Sequence, residues 1–289
     1  MHPAPSLIIF TTLSGLGFGL LAWLGFGLRA PTGFAAFVLF GLGYGLAGIG
    51  LIAAAFHLGH PERALLAFTQ WRSSWLSREA VLSAATLAIM APHAAASAFW
   101  NTPLPVLGWI GGALALATIL ATAMIYAQIR AVPRWHHWST PPVFLLAGLA
   151  GGALLAAKLT VALWLMLALA VAMVAHWGAG DRRFAKSGSD AGTATGLGGL
   201  GRVRLLEPPH SGRNYLLREM VHVVGRKHAH KLRLIALGLG ALAPALLLML
   251  PASYAGAFLA LGLHIAGMLA QRWLFFAEAE HMVGLYYGR

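Results

Sequence analysis

Apolar residues run almost unbroken for about twenty positions at a time along this chain, and short joints rich in proline, glycine or charge separate the runs. A helix crossing a hydrocarbon core about 30 Å thick needs about 20 such residues, and helix is the local structure that satisfies its own backbone where no water is present. Eight segments meet the requirement: Leu7–Leu28, Phe34–Phe56, Glu79–Phe99, Leu104–Tyr126, Pro141–Ala157, Thr160–Gly178, Leu232–Leu250 and Tyr254–Phe275. The pattern predicts an all-α, polytopic integral membrane bundle of eight transmembrane helices, the fifth being the shortest. With 289 residues, 59% of them hydrophobic, one membrane domain over 1–289 takes nearly the whole chain and leaves no room for a soluble domain of normal size. The first run is too long for the apolar core of a signal peptide and lacks a basic start, so it is expected to stay as a span.

The polar joints then orient the bundle. Eight crossings put both termini and the even-numbered loops on one side, and that side carries 18 of the 20 Lys and Arg residues, leaving Arg29 and Lys158 opposite. The positive-inside tendency makes the basic side cytoplasmic. The net charge of +12 thus comes from loops; nucleic acid is not expected, and the basic face suits anionic lipid headgroups and an acidic docked partner.

Two connections are long. The first, His57 to Arg78, begins with Gly59 and Pro61 and sets Trp71 and Trp75 beside arginines, as an interfacial loop would. The second, 179–231, is a basic cytoplasmic loop whose Gly, Ser, Ala and Thr from Lys186 to Gly201 predict disorder; 213–231, with Leu216, Leu217, Met220, Val221 and Val224, predicts an interfacial helix. Glycine pairs four apart, Gly15/Gly19, Gly41/Gly45, Gly108/Gly112 and Gly148/Gly152, predict close helix contacts inside the bundle, with dimerisation the alternative.

Chemistry is confined by what the chain lacks. With no cysteine it has no disulfide, thiolate-bound zinc or cysteine-ligated iron–sulfur cluster, so another subunit would bring any cluster. Ionisable residues gather at one end of the spans: His57, His60, Glu62, Arg63, Arg72, Arg78 and Glu79, with Tyr126 and Arg130 closing the fourth helix and Arg272, Glu278, Glu280 and His281 ending the eighth. Such a group matches the needs of a quinone headgroup, which takes hydrogen bonds on two carbonyl oxygens and exchanges protons; His57 is a proton partner and Glu79 a relay. A plain salt-bridge cluster joining Arg63 or Arg78 to Glu62 or Glu79 explains the same spacing. A b-type haem would need two facing histidines at one depth; His57 and His176 lie near helix ends, His93 and His264 deeper and at unlike depths, so no haem is expected and polar helix contacts are the main reading. A transporter would show charge at mid-membrane and broken helices in both halves. A purely structural anchor without a redox role is the remaining alternative.

The runs MHPAPSLIIFTTLSG (Met1–Gly15), HLGHPERA (His57–Ala64), SSWLSRE (Ser73–Glu79), IYAQIRAVPRWHHWSTPPVFLLAG (Ile125–Gly148), LGLHIAGMLAQRWLFF (Leu261–Phe276) and HMVGLYYG (His281–Gly288) together resemble the membrane anchor subunit of the dimethyl sulfoxide reductase family. The resemblance implies a haem-free quinone-reactive subunit in the bacterial inner membrane. It also implies two partners, a four-cluster iron–sulfur subunit and a molybdopterin catalytic subunit. It assigns His57, Glu79 and Arg63 to the quinone site, to which position at the same membrane end adds Arg78, Tyr126 and Arg130. The N-terminal run and the long basic loop are more similar to the branch associated with cytoplasmic sulfite oxidation than to the enteric sulfoxide reductases.

Overall fold

The computed structural model describes residues 1–27, 31–57, 59–207, 212, 214–220, 228–251 and 253–287. All regular structure among them is helical. Seven helices have the length and apolarity to cross a membrane: α1 (Pro5–Gly25), α2 (Gly33–Ala55), α3 (Trp75–Phe99), α4 (Pro105–Ala127), α6 (Leu159–Lys186), α7 (Ala229–Met249) and α8 (Tyr254–Ala277). Between α4 and α6 stands the shorter apolar helix α5 (Thr140–Leu155), whose 16 residues rise only about 24 Å. It is buried over most of its length, so the surrounding helices, rather than lipid, enclose it. The polytopic all-α bundle expected from the apolar runs is what the chain forms.

The helix α1 is the hub, packing on α2, α4, α5 and α8. Glycine lets it approach so closely: a methyl added at Gly17 would strike the backbone of Gly43 and Ala47 on α2, one at Gly19 or Gly152 would collide across the α1–α5 seam, and one at Gly25 would meet Gly108 of α4. Small residues substitute in lipid for the hydrophobic drive that water would supply. Three of the four spaced glycine pairs serve these contacts; Gly41 and Gly45 instead lie on the exposed face of α2, with nothing within 4 Å of an added methyl. Side chains lock the seams, with Trp23 Nε1 donating to the Leu149 carbonyl at 2.9 Å and Tyr44 Oη to the Leu87 carbonyl at 2.7 Å. The outward faces keep large apolar residues exposed, among them Phe34, Ile52, Trp164, Val171 and Phe258, the surface that lipid tails require.

The seventh span is irregular. Gly238–Leu242 forms a π turn just ahead of Pro244, whose missing N–H and ring disturb the preceding ladder. Close packing of Gly240 on Gly267 joins this turn to α8.

The two ends of the chain meet: the amino terminus of Met1 donates to the Ala279 carbonyl at 2.6 Å. That contact places the start of α1 and the end of α8 on the same side, as an even number of crossings requires. At this basic end Asp181 receives Arg134 at 2.8 Å and Arg233 at 2.6 Å, while the buried Glu278 receives Arg233 at 2.7 Å and Arg134 at 3.6 Å. The sixth helix overruns its apolar segment to Lys186, which is how Asp181, expected in the loop, reaches this network. In the glycine-rich stretch Asp190 caps a short helix, Ala191–Thr195, through a reciprocal bond with Thr193, and Tyr286 Oη donates to the Ala194 carbonyl at 2.7 Å. Of the expected interfacial helix 213–231, only Tyr215–Glu219 and the entry to α7 are seen as helix, and 213 and 221–227 lie outside the described residues.

Candidate functional site

The third helix begins at Ser74, whose hydroxyl accepts the Ser77 N–H at 3.4 Å. One turn inside, Glu79 points into the α3–α4 seam and is 4% exposed. It accepts a hydrogen bond from the Thr122 hydroxyl of α4. A ladder of hydroxyls runs inward from there, with Thr122 bonded back to the Thr118 carbonyl at 3.1 Å and Thr118 facing Thr86 at 3.2 Å. A carboxyl group at membrane depth with one hydroxyl partner is costly unless it is used or neutralised, and it is a functional candidate by default.

Thr118, Thr122 and Tyr126 recur every fourth residue and share one stripe of α4. Tyr126 is buried in an aromatic cage, with ring centroids 5.3 Å from Trp135 and Phe275 and 5.5 Å from Phe276. Across the cage α8 contributes Arg272, only 2% exposed, with its guanidinium 3.6 Å from the Phe144 ring centroid. Tyr126 lies within electrostatic reach of both Glu79 and Arg272. The interior at this end of the bundle is thus an acid, a hydroxyl ladder, a phenol and a cation, walled by aromatic rings.

The other residues named from sequence lie at the surface of the same end. His57 is exposed in the turn after α2, and Arg63 is exposed on the 3-10 turn Pro61–Phe68, which folds back on the start of α3. Arg78 is half-buried and committed to its own loop, donating from Nε to the Trp71 carbonyl at 3.0 Å and from Nη2 to the Arg72 carbonyl at 2.7 Å, and lying 4.3 Å over the Trp75 ring. Arg130 lines a separate cavity of about 260 Å³ with His136, Arg183 and Lys186. Of the six expected quinone-site residues, Glu79 and Tyr126 are therefore interior, while His57, Arg63, Arg78 and Arg130 are interfacial. No hydrogen bond or ion pair among the described residues joins the two sets. The salt-bridge alternative finds His60 paired with Glu62 at 2.9 Å, both exposed, rather than Arg63 or Arg78 with an acid.

Sequence reasoning named Arg272 among the ionisable groups at this end but counted its charge with the tail and left it out of the quinone site; the residue sits inside α8. The signal was its spacing: His264, Met268 and Arg272 recur every fourth residue, the same period as the α4 stripe. The buried histidines are each engaged with a neighbouring element. His93 Nδ1 accepts the Leu104 N–H at 3.0 Å, His176 Nδ1 pairs with the Ser139 hydroxyl at 2.9 Å, and His264 Nδ1 meets the Gly240 carbonyl of the π turn at 2.7 Å. Among the described residues no group of three His, Asp or Glu side chains is placed to hold a metal ion.

A helical bundle with ionisable groups buried near one end and basic residues around that end defines an integral membrane protein. Comparison with known proteins names the kind: residues 1–176 match the family described as DMSO reductase anchor subunit (DmsC), and the chain belongs to that family. It is 33% identical to a sulfite dehydrogenase subunit of Allochromatium vinosum over 99% of both chains. It is also 33% identical to the anaerobic dimethyl sulfoxide reductase chain YnfH of Escherichia coli, over 39% of this chain and 41% of that one. No solved structure matches it.

Proposed function

We propose that this anchor subunit passes electrons between a docked iron–sulfur subunit and a quinone bound at the basic end of the bundle. The observation that carries the reading is the placement of Glu79: a buried carboxyl group at the seam of α3 and α4, beside the turn that presents His57 and Arg63. In it a quinone headgroup lies against the loop, with His57 donating to one carbonyl oxygen, Arg63 balancing the anionic intermediate form, and Glu79 exchanging the proton. The chain carries no cysteine, so the clusters, four by family resemblance, belong to the iron–sulfur partner and substrate chemistry to a molybdopterin subunit.

Similarity along the full length to a sulfite dehydrogenase subunit, against partial similarity to a sulfoxide reductase chain, favours sulfite as the partner's substrate. Sulfite and water then give sulfate, two protons and two electrons, and quinone takes up two electrons and two protons to become quinol. The basic end faces the cytoplasm of a bacterial inner membrane in this reading, so electrons and protons reach the quinone from one side.

The test is turnover of the intact complex with two acceptors. His57→Ala should lower quinone-coupled turnover at least tenfold while leaving turnover with a soluble dye unchanged, because the dye is served by the partner subunits. Quinone kinetics equal to wild type would remove His57 from the site.

A further inference from the structure

The interior beyond Glu79 holds more polar atoms than its hydrogen bonds use. Thr12 Oγ1, His264 Nε2 and Arg272 Nε and Nη1 are buried without a hydrogen-bond partner. The His264 ring also lies near the Ala147 carbonyl. All of these atoms belong to residues bordering two small cavities that meet at Arg272. The first is lined by Thr11, Thr12, Gly15, His264, Met268 and Arg272, and the second by Thr11, Ser14, Gly15, Thr122, Phe144 and Arg272. Each has about 10 Å³ of room for a water centre. That is the space of one water molecule, far too little for a quinone ring, and a buried water is held where two to four polar groups converge. Each cavity offers that number.

We propose that each cavity holds one bound water, and that the pair completes a hydrogen-bonded chain from Glu79 through Thr122 and Arg272 to His264. The chemistry fits at every link. Thr122 already donates to Glu79, so its oxygen is free to accept from the water in the second cavity. Arg272 only donates, so it holds both water oxygens and turns their hydrogens toward the threonine hydroxyls on one side and His264 on the other. The Gly240 carbonyl can only accept, which fixes a hydrogen on His264 Nδ1 and, in the neutral ring, leaves Nε2 bare to accept from the first water. Arg272 is a positioning residue here, acting through the waters. The waters also explain how a guanidinium with no ion-pair partner among the described residues is kept inside a bundle of helices, since an unsatisfied charged group at this depth is among the costliest things to bury. As proton exchange at Glu79 is itself the proposed quinone chemistry, the functional half of this inference rests on that reading; the hydration half does not.

Radiolytic hydroxyl-radical labelling of the purified complex reads bound water directly, because radicals form where the water sits. Met268 borders the first cavity and is 3% exposed; Met166, 0% exposed, lies in the apolar cluster with Ala150 and Ala260 and serves as control. Met268 should oxidise several times faster than Met166 in the wild type. Equal rates in the wild type would overturn the bound waters whether or not quinone binds. Arg272→Met should enlarge the solvent deuterium isotope effect on quinone-coupled turnover at least twofold over wild type with dye turnover intact; an unchanged effect, with Met268 still labelled in the wild type, would overturn only the link to proton exchange. Should His57→Ala and Glu79→Gln both keep wild-type quinone kinetics, the quinone site itself is wrong, and the labelling result stands apart from it.

Discussion

Glu79 and Thr122 form the one side-chain bond that crosses the α3–α4 seam at a carboxyl group, and their partnership gives a sharp expectation. Thr122→Val keeps the volume and removes the donor, leaving a buried carboxyl group without its hydroxyl; such a loss costs about 1–3 kcal/mol. The variant should melt several degrees lower by scanning calorimetry and slow quinone-coupled turnover. A variant as stable as the wild type, or more so, would show that the bond is incidental. Glu278 at the other side of the basic end is a separate case. It is 4% exposed and faces Arg134 and Arg233, so Glu278→Gln leaves two cations opposed with only Asp181 between them. Removing one partner of a buried charge set costs roughly 3–5 kcal/mol, and the lower end applies because both arginines are partly exposed. Urea or thermal unfolding in detergent checks it.

At the scale of elements, the apolar runs disclosed what lipid demands and little of what other helices demand. Length and composition located every span, because the bilayer sets both. They did not reveal that α6 continues to Lys186, since those last residues are polar and are held by ion pairs that only the folded end creates. Nor did they separate the interior from the interface of the site: His57 and Glu79 are 22 positions apart on paper, yet burial depends on which way α3 is turned, and that is fixed by its seam with α4. Arg272 was grouped with the ionisable residues ending the eighth run but not with the site, because a charge near the end of a run reads as a loop charge. Glycine spacing was informative in the same partial way. Gly152→Ala would drive a methyl into Gly19 and should cost about 1–3 kcal/mol, whereas Gly41→Ala on the lipid face should change the melting temperature little. Equal effects would mean that the α1–α5 contact is looser than described. The tail is a pH-sensitive element. Burial, and then the nearby amino terminus, hold the His281 imidazole below its ordinary value of about 6.5. The undocked tail therefore binds the extra proton, so docking is complete above that pH and weakens as pH falls through it. Hydrogen exchange across 282–287 should slow between pH 7.5 and 5.5 by less than the intrinsic rate does, because protection is lost as the tail undocks; protection that grows as pH falls would place His281 in contact with an acid.

Across the whole molecule, the basic shelf, the meeting of both chain ends and the ionisable interior share one face of the bundle. Under the proposed function, a partner docked on that shelf would hand over electrons on the side where Glu79 would exchange protons, and neither charge would cross the bilayer. Turnover of the complex alone in sealed vesicles should therefore leave a potential-sensitive dye unmoved. The proposed quinone chemistry depends most directly on the carboxyl group of Glu79. In the intact complex, Glu79→Gln keeps the size and the Thr122 contact but removes the exchangeable proton, and the ratio of quinone-coupled to dye-coupled turnover should fall at least tenfold while the subunits stay associated. A ratio equal to that of the wild type, in a complex that still assembles, would contradict a quinone-reactive role for this site.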